Sequence, residues 1–260
     1  MTWQTIRCEK ESGLARVILN RPAQMNAISP QMLQELWEVA EEIEKDSAVR
    51  VVTITGAGRA FCAGADLQAI KQIMDEPEKV EAFLRFWHRV FNRIEDLSKP
   101  VIAGVHGLAL AGGLELMMVC DLAVADEEAK LGDQHAHFGL VAGGGGSQRL
   151  PRLIGSRRAK ELMLIGNWLT AQEAFALGLI NRVAPAGKLT ETLKELTEQL
   201  LEKSLTASRT VKGLINRGMQ VDLYSGLELE ILAVKDHFRS ADFREGVSAF
   251  AEKRKPVFGK

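Results

Sequence analysis

The sequence has few of the residues that mark disulfide-rich or zinc-binding proteins. Its 260 residues include only three cysteines, Cys8, Cys62 and Cys120. An odd number without paired spacing argues against a disulfide framework and against a cysteine-based zinc site. Sparse, unpaired cysteines are typical of proteins in a reducing compartment. We therefore expect a cytoplasmic protein that holds no metal.

Strong charge and long apolar runs are also missing. The formal net charge is −1 at pH 7, which gives no general attraction to nucleic acid or anionic lipid. The opening residues, MTWQTIRCEKESG, hold no apolar stretch of the kind found in signal peptides. The longest apolar run includes His106 and Glu115 and is too short to span a membrane. We expect a soluble protein without a nucleic-acid or membrane partner.

What the sequence does contain is an alternation of strand and helix patterns. A serine followed by proline begins one helical pattern, as expected at a helix start, and an apolar stripe at helical spacing marks a second. Alternating strands and helices favour an α/β core. The predicted strands cover residues 15–20, 49–55, 101–105 and 122–125, and the helices cover 29–45 and 78–97.

The last third of the chain has a different pattern. From about residue 156 helical segments follow one another with few strand patterns. No segment rich in proline or serine separates the two parts, so we expect them to pack together. We divide the chain into an α/β core over residues 1–195 and a helical region over residues 196–260.

Two turns rich in small residues follow predicted strands. The first brings Ala63, Gly64 and Ala65 in front of a helix that can start at Asp66, and the second, residues 111–113, precedes an apolar helix. N–H groups at a helix start are unpaired within the helix and attract negative charge. Two of them that converge would form an oxyanion hole. Packing alone also explains small residues at such turns, so both interpretations stay open at this point.

Glu115 is a carboxylate within the segment HGLALAGGLELMMVCD, whose residues 107–120 are otherwise small or apolar. It follows Gly112 by three residues, so its side chain is expected on or near the helix face that carries the possible anion site. A partly buried carboxylate has a raised pKa, which suits it to proton transfer near neutral pH. The alternative is a structural salt bridge to an arginine or lysine elsewhere.

Several ordered motifs together resemble the enoyl-CoA hydratase/isomerase family, also called the crotonase superfamily. They are LNRPAQMNAIS, AFCAGADL, KPVIAGVHGLALAGGLELMMVCDLAVA, GLVAGGGGSQRLPRLIGSRRAKELMLIGNWLTAQEAFALGLINRV and REGVSAFAEKRKPVFGK. The resemblance covers nearly the whole chain. It implies a core of repeated ββα units and a C-terminal helical region used in trimerisation, with assembly as a homotrimer or a dimer of trimers.

The resemblance also implies a substrate and a binding mode. An acyl-CoA thioester would place its carbonyl oxygen between the backbone N–H groups of Ala65 and Gly112, with no cofactor besides the CoA that belongs to the substrate. Ala63, Asp66 and Leu67 match positions that line the CoA channel. Phe250 and Lys253 match a subunit boundary where the adenine end of CoA binds. A lysine or arginine often found in the family is replaced here by Ala23, so one phosphate contact is absent or comes from elsewhere.

The departure from the family pattern concerns the second catalytic carboxylate. Family hydratases use two glutamates about twenty residues apart, and Glu115 matches the first. The second position is His135, whose imidazole still allows acid–base chemistry because its ordinary pKa is about 6.5. We take Glu115, His135, Ala65 and Gly112 as the catalytic set.

The resemblance and the catalytic set favour a lyase that adds water to a 2-enoyl-CoA thioester. One alternative is isomerisation, or hydrolytic ring opening of a cyclic β-keto thioester on the same scaffold. Another is a homologue that binds RNA or protein without catalysis. A metal site at Asp133, His135 and His137 has no familiar ligand spacing. His88 matches a catalytic histidine of the family's aryl-CoA dehalogenase, but the nucleophilic aspartate of that enzyme is Gly143 here.

Overall fold

The structure is a computed structural model that describes residues 3–258, so residues 1–2 and 259–260 lie outside the described chain. Its strands are β1 (Ile6–Glu11), β2 (Leu14–Leu19), β3 (Val51–Gly56), β4 (Val101–Val105), β5 (Leu108–Leu110), β6 (Leu122–Asp126), β7 (Lys130–Gly132), β8 (Leu169–Thr170) and β9 (Arg182–Ala184). They form a six-stranded sheet in the order β1-β2-β3-β4-β6-β9 and a three-stranded sheet in the order β5-β7-β8.

The helices of the first two thirds surround the larger sheet. They are α1 (Pro30–Lys45), α2 (Leu67–Lys71), α3 (Pro77–Glu95), α4 (Gly112–Met118), α5 (Gly146–Ile154), α6 (Ser156–Ile165) and α7 (Ala171–Ala176), with 3₁₀ turns at Pro22–Gln24 and His135–Phe138. The Met32 N–H donates to the Ser29 hydroxyl at the start of α1, over 3.1 Å, as the Ser-Pro pattern predicts. The four predicted strands and two predicted helices are confirmed to within two residues at each end.

Only the β1–β2 pair of the large sheet is antiparallel, and the other four pairings are parallel. Every residue of β4 is buried, as expected for a central parallel strand covered on both faces. On one face α1, α3 and α4 contribute to the main core. On the other face Leu189, Leu193 and Leu196 pack with Val51 and Ile102. The α/β expectation is therefore confirmed.

The rest of the chain is helical and consists of α8 (Leu189–Leu201), α9 (Leu205–Gly218), α10 (Leu223–His237) and α11 (Ala241–Ala251). Helix α8 continues across residue 195 and covers the sheet, while the division of the chain near that residue stays a prediction. Lys212 on α9 reaches the sheet, where its Nζ lies 2.8 Å from Asp121 Oδ2. Within the described chain no residue of α9 or α10 is buried.

Candidate active site

The two glycine-rich turns lie side by side because Cys62, just before the first turn, pairs with β5, just before the second. The Cys62 N–H donates to the Leu108 carbonyl and the Leu110 N–H donates to the Cys62 carbonyl, both over 3.0 Å. Gly113 has to be glycine here, since an added Cβ would clash with the Cys62 carbonyl. These contacts hold the first turn directly against the start of α4.

Ala65 and Gly112 are neighbours in this arrangement. A Cβ placed on Gly112 would lie 3.3 Å from the Ala65 nitrogen. In the part of the chain that the structure describes, neither of these N–H groups donates to a protein acceptor. Gly112 is also the first residue of α4, where N–H groups have no partner within the helix. Two unpaired donors therefore sit on adjacent turns.

The residue between β5 and α4 has an unusual backbone. Ala111 has φ of 47° and ψ of −118°, a combination that places a non-glycine residue at positive φ and costs roughly 1–3 kcal/mol. Its N–H donates to the Gly132 carbonyl over 2.9 Å and its carbonyl accepts from the Glu115 N–H over 3.0 Å. Both hydrogen bonds hold the chain in this strained turn, which fixes the direction in which Gly112 enters the helix.

Glu115 lies one turn into α4 with 2% of its surface exposed. Its Oε1 accepts two backbone hydrogen bonds, from Gly144 N–H over 2.9 Å and from Gly146 N–H over 2.7 Å. Its Oε2 accepts none from the described residues. Burial raises the pKa of Glu115, although the Gly146 N–H, the charge of His135 and the Gly144 N–H act to lower it. The carboxylate is thus fixed by one oxygen and left open at the other.

His135 forms an ion-pair contact with Asp133. The His135 Nδ1 lies 3.0 Å from Asp133 Oδ2, although this contact is not counted among the hydrogen bonds of the described residues. The His135 backbone N–H reaches the other oxygen over 3.3 Å. Burial acts to lower the pKa of His135, but the contact with Asp133 and the charges of Asp133 and Glu115 outweigh it, so the pKa is raised. The pKa of His135 and the pKa of Glu115 are thus both raised from their ordinary values.

Trp87 on α3 is also part of this site. Its ring packs edge-on against Phe83 and Phe91, with centroids 5.5 Å apart in each case. A Cβ added to Gly112 would lie 3.0 Å from the Trp87 Cζ2 atom. One added to Gly144 would lie 2.6 Å from Trp87 Nε1 and 2.5 Å from Glu115 Oε2. The indole therefore lies between Gly112 at the start of α4 and Gly144 in the loop before α5.

The remaining histidines near the site have other surroundings. His137 Nε2 is 2.9 Å from the Gly166 carbonyl oxygen, so it turns away from Asp133. Burial and the charge of Arg149 lower the pKa of His88. Within residues 3–258 no group of three or more His, Cys, Asp or Glu side chains is arranged to hold a metal ion. The same residues contain no helix with the length and apolarity needed to cross a membrane.

The residues expected to bind CoA fall into two places. Ala63 and Asp66 lie in the first turn, where Asp66 caps α2 and pairs with Arg21 at 2.8 Å, and Leu67 beside them is exposed. Phe250 and Lys253 lie at the end of α11, and the Phe250 ring is 88% exposed. No hydrogen bond or ion pair of the described residues links the two places.

Comparisons with known proteins identify the family of this chain. A sequence model of the family "Enoyl-CoA hydratase/isomerase" matches residues 9–260. The chain belongs to this family. It is 40% identical to the crotonyl-CoA hydratase of Syntrophomonas wolfei over 99% of both chains. It is 39% identical to the short-chain-enoyl-CoA hydratase of Clostridium acetobutylicum, over 98% of this chain and 97% of that one.

A solved structure of an enoyl-CoA hydratase from Bacillus anthracis has the same fold. The two share a TM-score of 0.93 and 38% identity, over 98% of this chain and 99% of that one. This likeness confirms the expected crotonase-like α/β core with C-terminal helices. Membership of the enoyl-CoA hydratase/isomerase family therefore rests on motifs, sequence and fold together.

Sequence reasoning missed three contributors to the site. No sequence pattern predicts that the N–H groups of Gly144 and Gly146 reach Glu115. The sequence suggests Asp133 only as a possible metal ligand, although its spacing of two residues from His135 allows a carboxylate–imidazole contact. Trp87 belongs to the apolar stripe of α3, and such a stripe does not show where an indole N–H points.

Proposed function

We propose that this chain adds water across the double bond of a 2-enoyl-CoA thioester. The observation that supports this most directly is the pair of unpaired N–H groups at Ala65 and Gly112, next to a buried glutamate with one free oxygen. Relatives with about 40% identity are named as crotonyl-CoA and short-chain enoyl-CoA hydratases. The activity is therefore that of a carbon–oxygen lyase with a CoA thioester as substrate and no separate cofactor.

In this proposal the two N–H groups bind the thioester carbonyl oxygen. As water adds to C3, the π electrons of the C2–C3 bond shift toward the carbonyl and charge develops on that oxygen. Donors already in place stabilise such charge without rearranging, and removal of one donor costs roughly 3–4 kcal/mol in comparable sites. The strained turn at Ala111 holds Gly112 ready before substrate binds.

Glu115 acts as the base toward water. Its Oε2 accepts a proton from the water whose oxygen forms the new bond to C3, and its Oε1 stays bound by Gly144 and Gly146. The enolate is then protonated at C2, and the product is a 3-hydroxyacyl thioester. The raised pKa of Glu115 suits both steps, because a carboxyl group that accepts a proton readily near neutral pH is also able to return it.

His135 is the second acid–base or substrate-orienting group. The contact with Asp133 holds its ring at a fixed angle, with Nδ1 3.0 Å from Asp133 Oδ2. The raised pKa of His135 makes a protonated imidazole available beside Glu115. In this role His135 donates a proton toward C2, or holds the acyl group while Glu115 returns its own proton.

The same Asp133–His135 contact favours one second candidate. An imidazole backed by a carboxylate is a common general base, which suits hydrolytic ring opening of a cyclic β-keto CoA thioester. In that reaction water attacks the ring ketone rather than C3, and the carbon–carbon bond breaks to leave the enolate between Ala65 and Gly112. The oxyanion site and the thioester are common to both reactions.

We also propose that CoA lies along Ala63, Asp66 and Leu67 and that the chain works as a homotrimer or dimer of trimers in the cytoplasm. The free thiols of Cys8, Cys62 and Cys120 support a reducing compartment. Phe250 and Lys253 would then meet the adenine end of CoA at a subunit boundary.

Apolar side chains exposed on the C-terminal helices support assembly; they include Val211, Ile215, Met219, Leu223, Tyr224, Ile231 and Leu232. Sedimentation velocity of wild type and of Ile231→Glu tests this proposal. Wild type should sediment as a trimer or hexamer and the variant as a smaller species. A monomeric wild type would reject the assembly.

The reaction is tested by the loss of enoyl absorbance from crotonyl-CoA with wild type, Glu115→Gln and His135→Ala. We expect an active wild type, an inactive Glu115→Gln and an impaired His135→Ala. Glu35→Gln is the matched control, because Glu35 is a second buried glutamate that lies on α1. A wild type that hydrates neither crotonyl-CoA nor longer enoyl thioesters, but opens a cyclic β-keto thioester, would replace hydration by the second candidate.

A further inference from the structure

We propose that Trp87 Nε1–H donates a hydrogen bond to the water molecule that Glu115 activates. This inference rests on the proposed hydration and adds to it a second fixed contact for the reacting water, besides Glu115 Oε2. The first observation is a buried hydrogen-bond donor that has no acceptor among the described residues. Trp87 is 3% exposed, and its Nε1 has no hydrogen-bond partner among the described residues. A buried tryptophan N–H usually finds a partner, because an unmade hydrogen bond costs about 1–3 kcal/mol.

The position of this N–H points to water at the carboxylate. A Cβ added to Gly144 would come within 2.6 Å of Trp87 Nε1 and 2.5 Å of Glu115 Oε2. The same side of Gly144 is therefore bordered by an unused donor and an unused acceptor. Both atoms lie within 2.6 Å of this one point, close enough to each other for a single water molecule to bridge them. A water oxygen there would accept from the indole and donate one proton to Glu115 Oε2.

The chemistry of the step leaves one lone pair of the water free for such a donor. The attacking water has two lone pairs and two protons. One lone pair forms the bond to C3, one proton passes to Glu115 Oε2, and the second proton remains on the product hydroxyl. The remaining lone pair is free to accept from Trp87 Nε1–H, so the indole directs the oxygen without competing for the proton. In the reverse direction the same N–H binds the departing hydroxyl oxygen.

The indole is also held firmly enough for this task. Phe83 and Phe91 pack against it edge-on from both sides, which fixes the ring plane and thus the N–H direction. Here His135 replaces the second glutamate of the family hydratases, so one carboxylate that would bind the water is absent. Trp87 supplies the missing contact from a different helix.

Trp87→Phe tests the inference, because it removes the N–H and keeps an aromatic ring. The matched control is Trp3→Phe, since Trp3 Nε1 is also buried without a partner among the described residues. Two reactions are measured. One is the hydration of crotonyl-CoA, and the other is exchange of the C2 protons of butyryl-CoA in D₂O, which needs the enolate but no water addition.

We expect Trp87→Phe to lower kcat for hydration about ten-fold, the scale of one hydrogen bond, with KM and the butyryl-CoA exchange rate unchanged. Trp3→Phe should leave all three unchanged. An unaltered kcat would make the indole a pocket wall. A raised KM alone would assign the N–H to the acyl group. A parallel loss of exchange would mean that the ring supports Gly112 instead, and each of these three results overturns the proposal.

The two hypotheses fail in different ways. If wild type does not hydrate crotonyl-CoA or any other enoyl thioester, the proposed function is wrong and no water needs positioning. If wild type is active and Trp87→Phe hydrates equally well, hydration stands and only the role of Trp87 is wrong. Circular dichroism and the melting temperature of Trp87→Phe show whether the variant is folded, and retained butyryl-CoA exchange shows that its site is intact.

Discussion

Glu35 and Glu115 are two buried glutamates in opposite situations. Glu35 on α1 accepts hydrogen bonds at both oxygens, from the backbone of Gln4, Thr5 and Ile6, the Thr5 hydroxyl and the Gln31 amide. Burial acts to raise its pKa, but these donors outweigh burial and the pKa is lowered. Among the described residues, Glu115 has donors at one oxygen only, and burial raises its pKa. Burial alone therefore does not mark a reactive carboxylate, whereas an oxygen left without a partner does.

The largest effect is expected for Glu115→Gln in hydration of the enoyl thioester. The amide is not basic enough to take a proton from water, so kcat should fall by about 10³-fold, within the range of general-base catalysis. The amide oxygen still accepts from Gly144 and Gly146, so the melting temperature should stay the same or rise. Stopped-flow absorbance and thermal unfolding measure the two quantities. A variant that is both inactive and strongly destabilised would make Glu115 structural, like Glu35.

The reverse result is expected for Glu35→Gln. Its amide NH₂ would face backbone donors, so the free energy of unfolding should fall by about 2 kcal/mol. The kcat of the folded enzyme should remain as in wild type, because Glu35 joins α1 to the chain before and within β1. Urea unfolding followed by circular dichroism measures this change. Loss of kcat without loss of stability would remove the distinction between the two glutamates.

Asp133→Asn should have a smaller effect on turnover. Without the carboxylate the pKa of His135 is no longer raised by its main partner, so the imidazole loses its proton at lower pH. The alkaline limb of the kcat profile should therefore move to lower pH. The kcat at the optimum should also fall about ten-fold, which corresponds to roughly 1.4 kcal/mol. A full pH profile for both proteins checks this. An unmoved alkaline limb would show that His135 does not act as an acid.

The pH dependence of the wild type compares the same two glutamates without any substitution, and the expected difference is the smallest. Activity should be lost as pH falls through the raised pKa of Glu115, at a pH above the ordinary carboxyl value of 4.5. The lowered pKa of Glu35 places the corresponding loss of stability at a lower pH. The contribution of Glu35 to the free energy of unfolding is present above the ordinary pKa and is lost only as pH falls through a value below 4.5. Activity should therefore fail before this part of the fold does, and coincident losses would contradict the two assignments.

Most of the architecture could be predicted from local patterns. The Ser29-Pro30 start of α1, the β-branched run of β4 and the apolar stripe of α3 all agree with the structure. Five strands were not predicted. β5, β7, β8 and β9 have only two or three residues, which give no periodicity, and β1 is mostly polar and exposed. Within the site, the local pattern indicates the two turns and Glu115, while the choice of Ala65 and Gly112 within those turns comes from the resemblance to the family. The Gly144 and Gly146 donors could not, because that contact joins residues about thirty apart.

Ala111 shows what kind of order the site requires. Glycine would reach φ of 47° with less strain, and folding would be easier in that respect. Glycine would also allow the turn many other conformations, and the thioester would have to restrict them at the moment of binding. Alanine has fewer conformations to choose from. Once the hydrogen bonds around it are made, the loss of conformational entropy at this turn has already taken place during folding, before any substrate arrives.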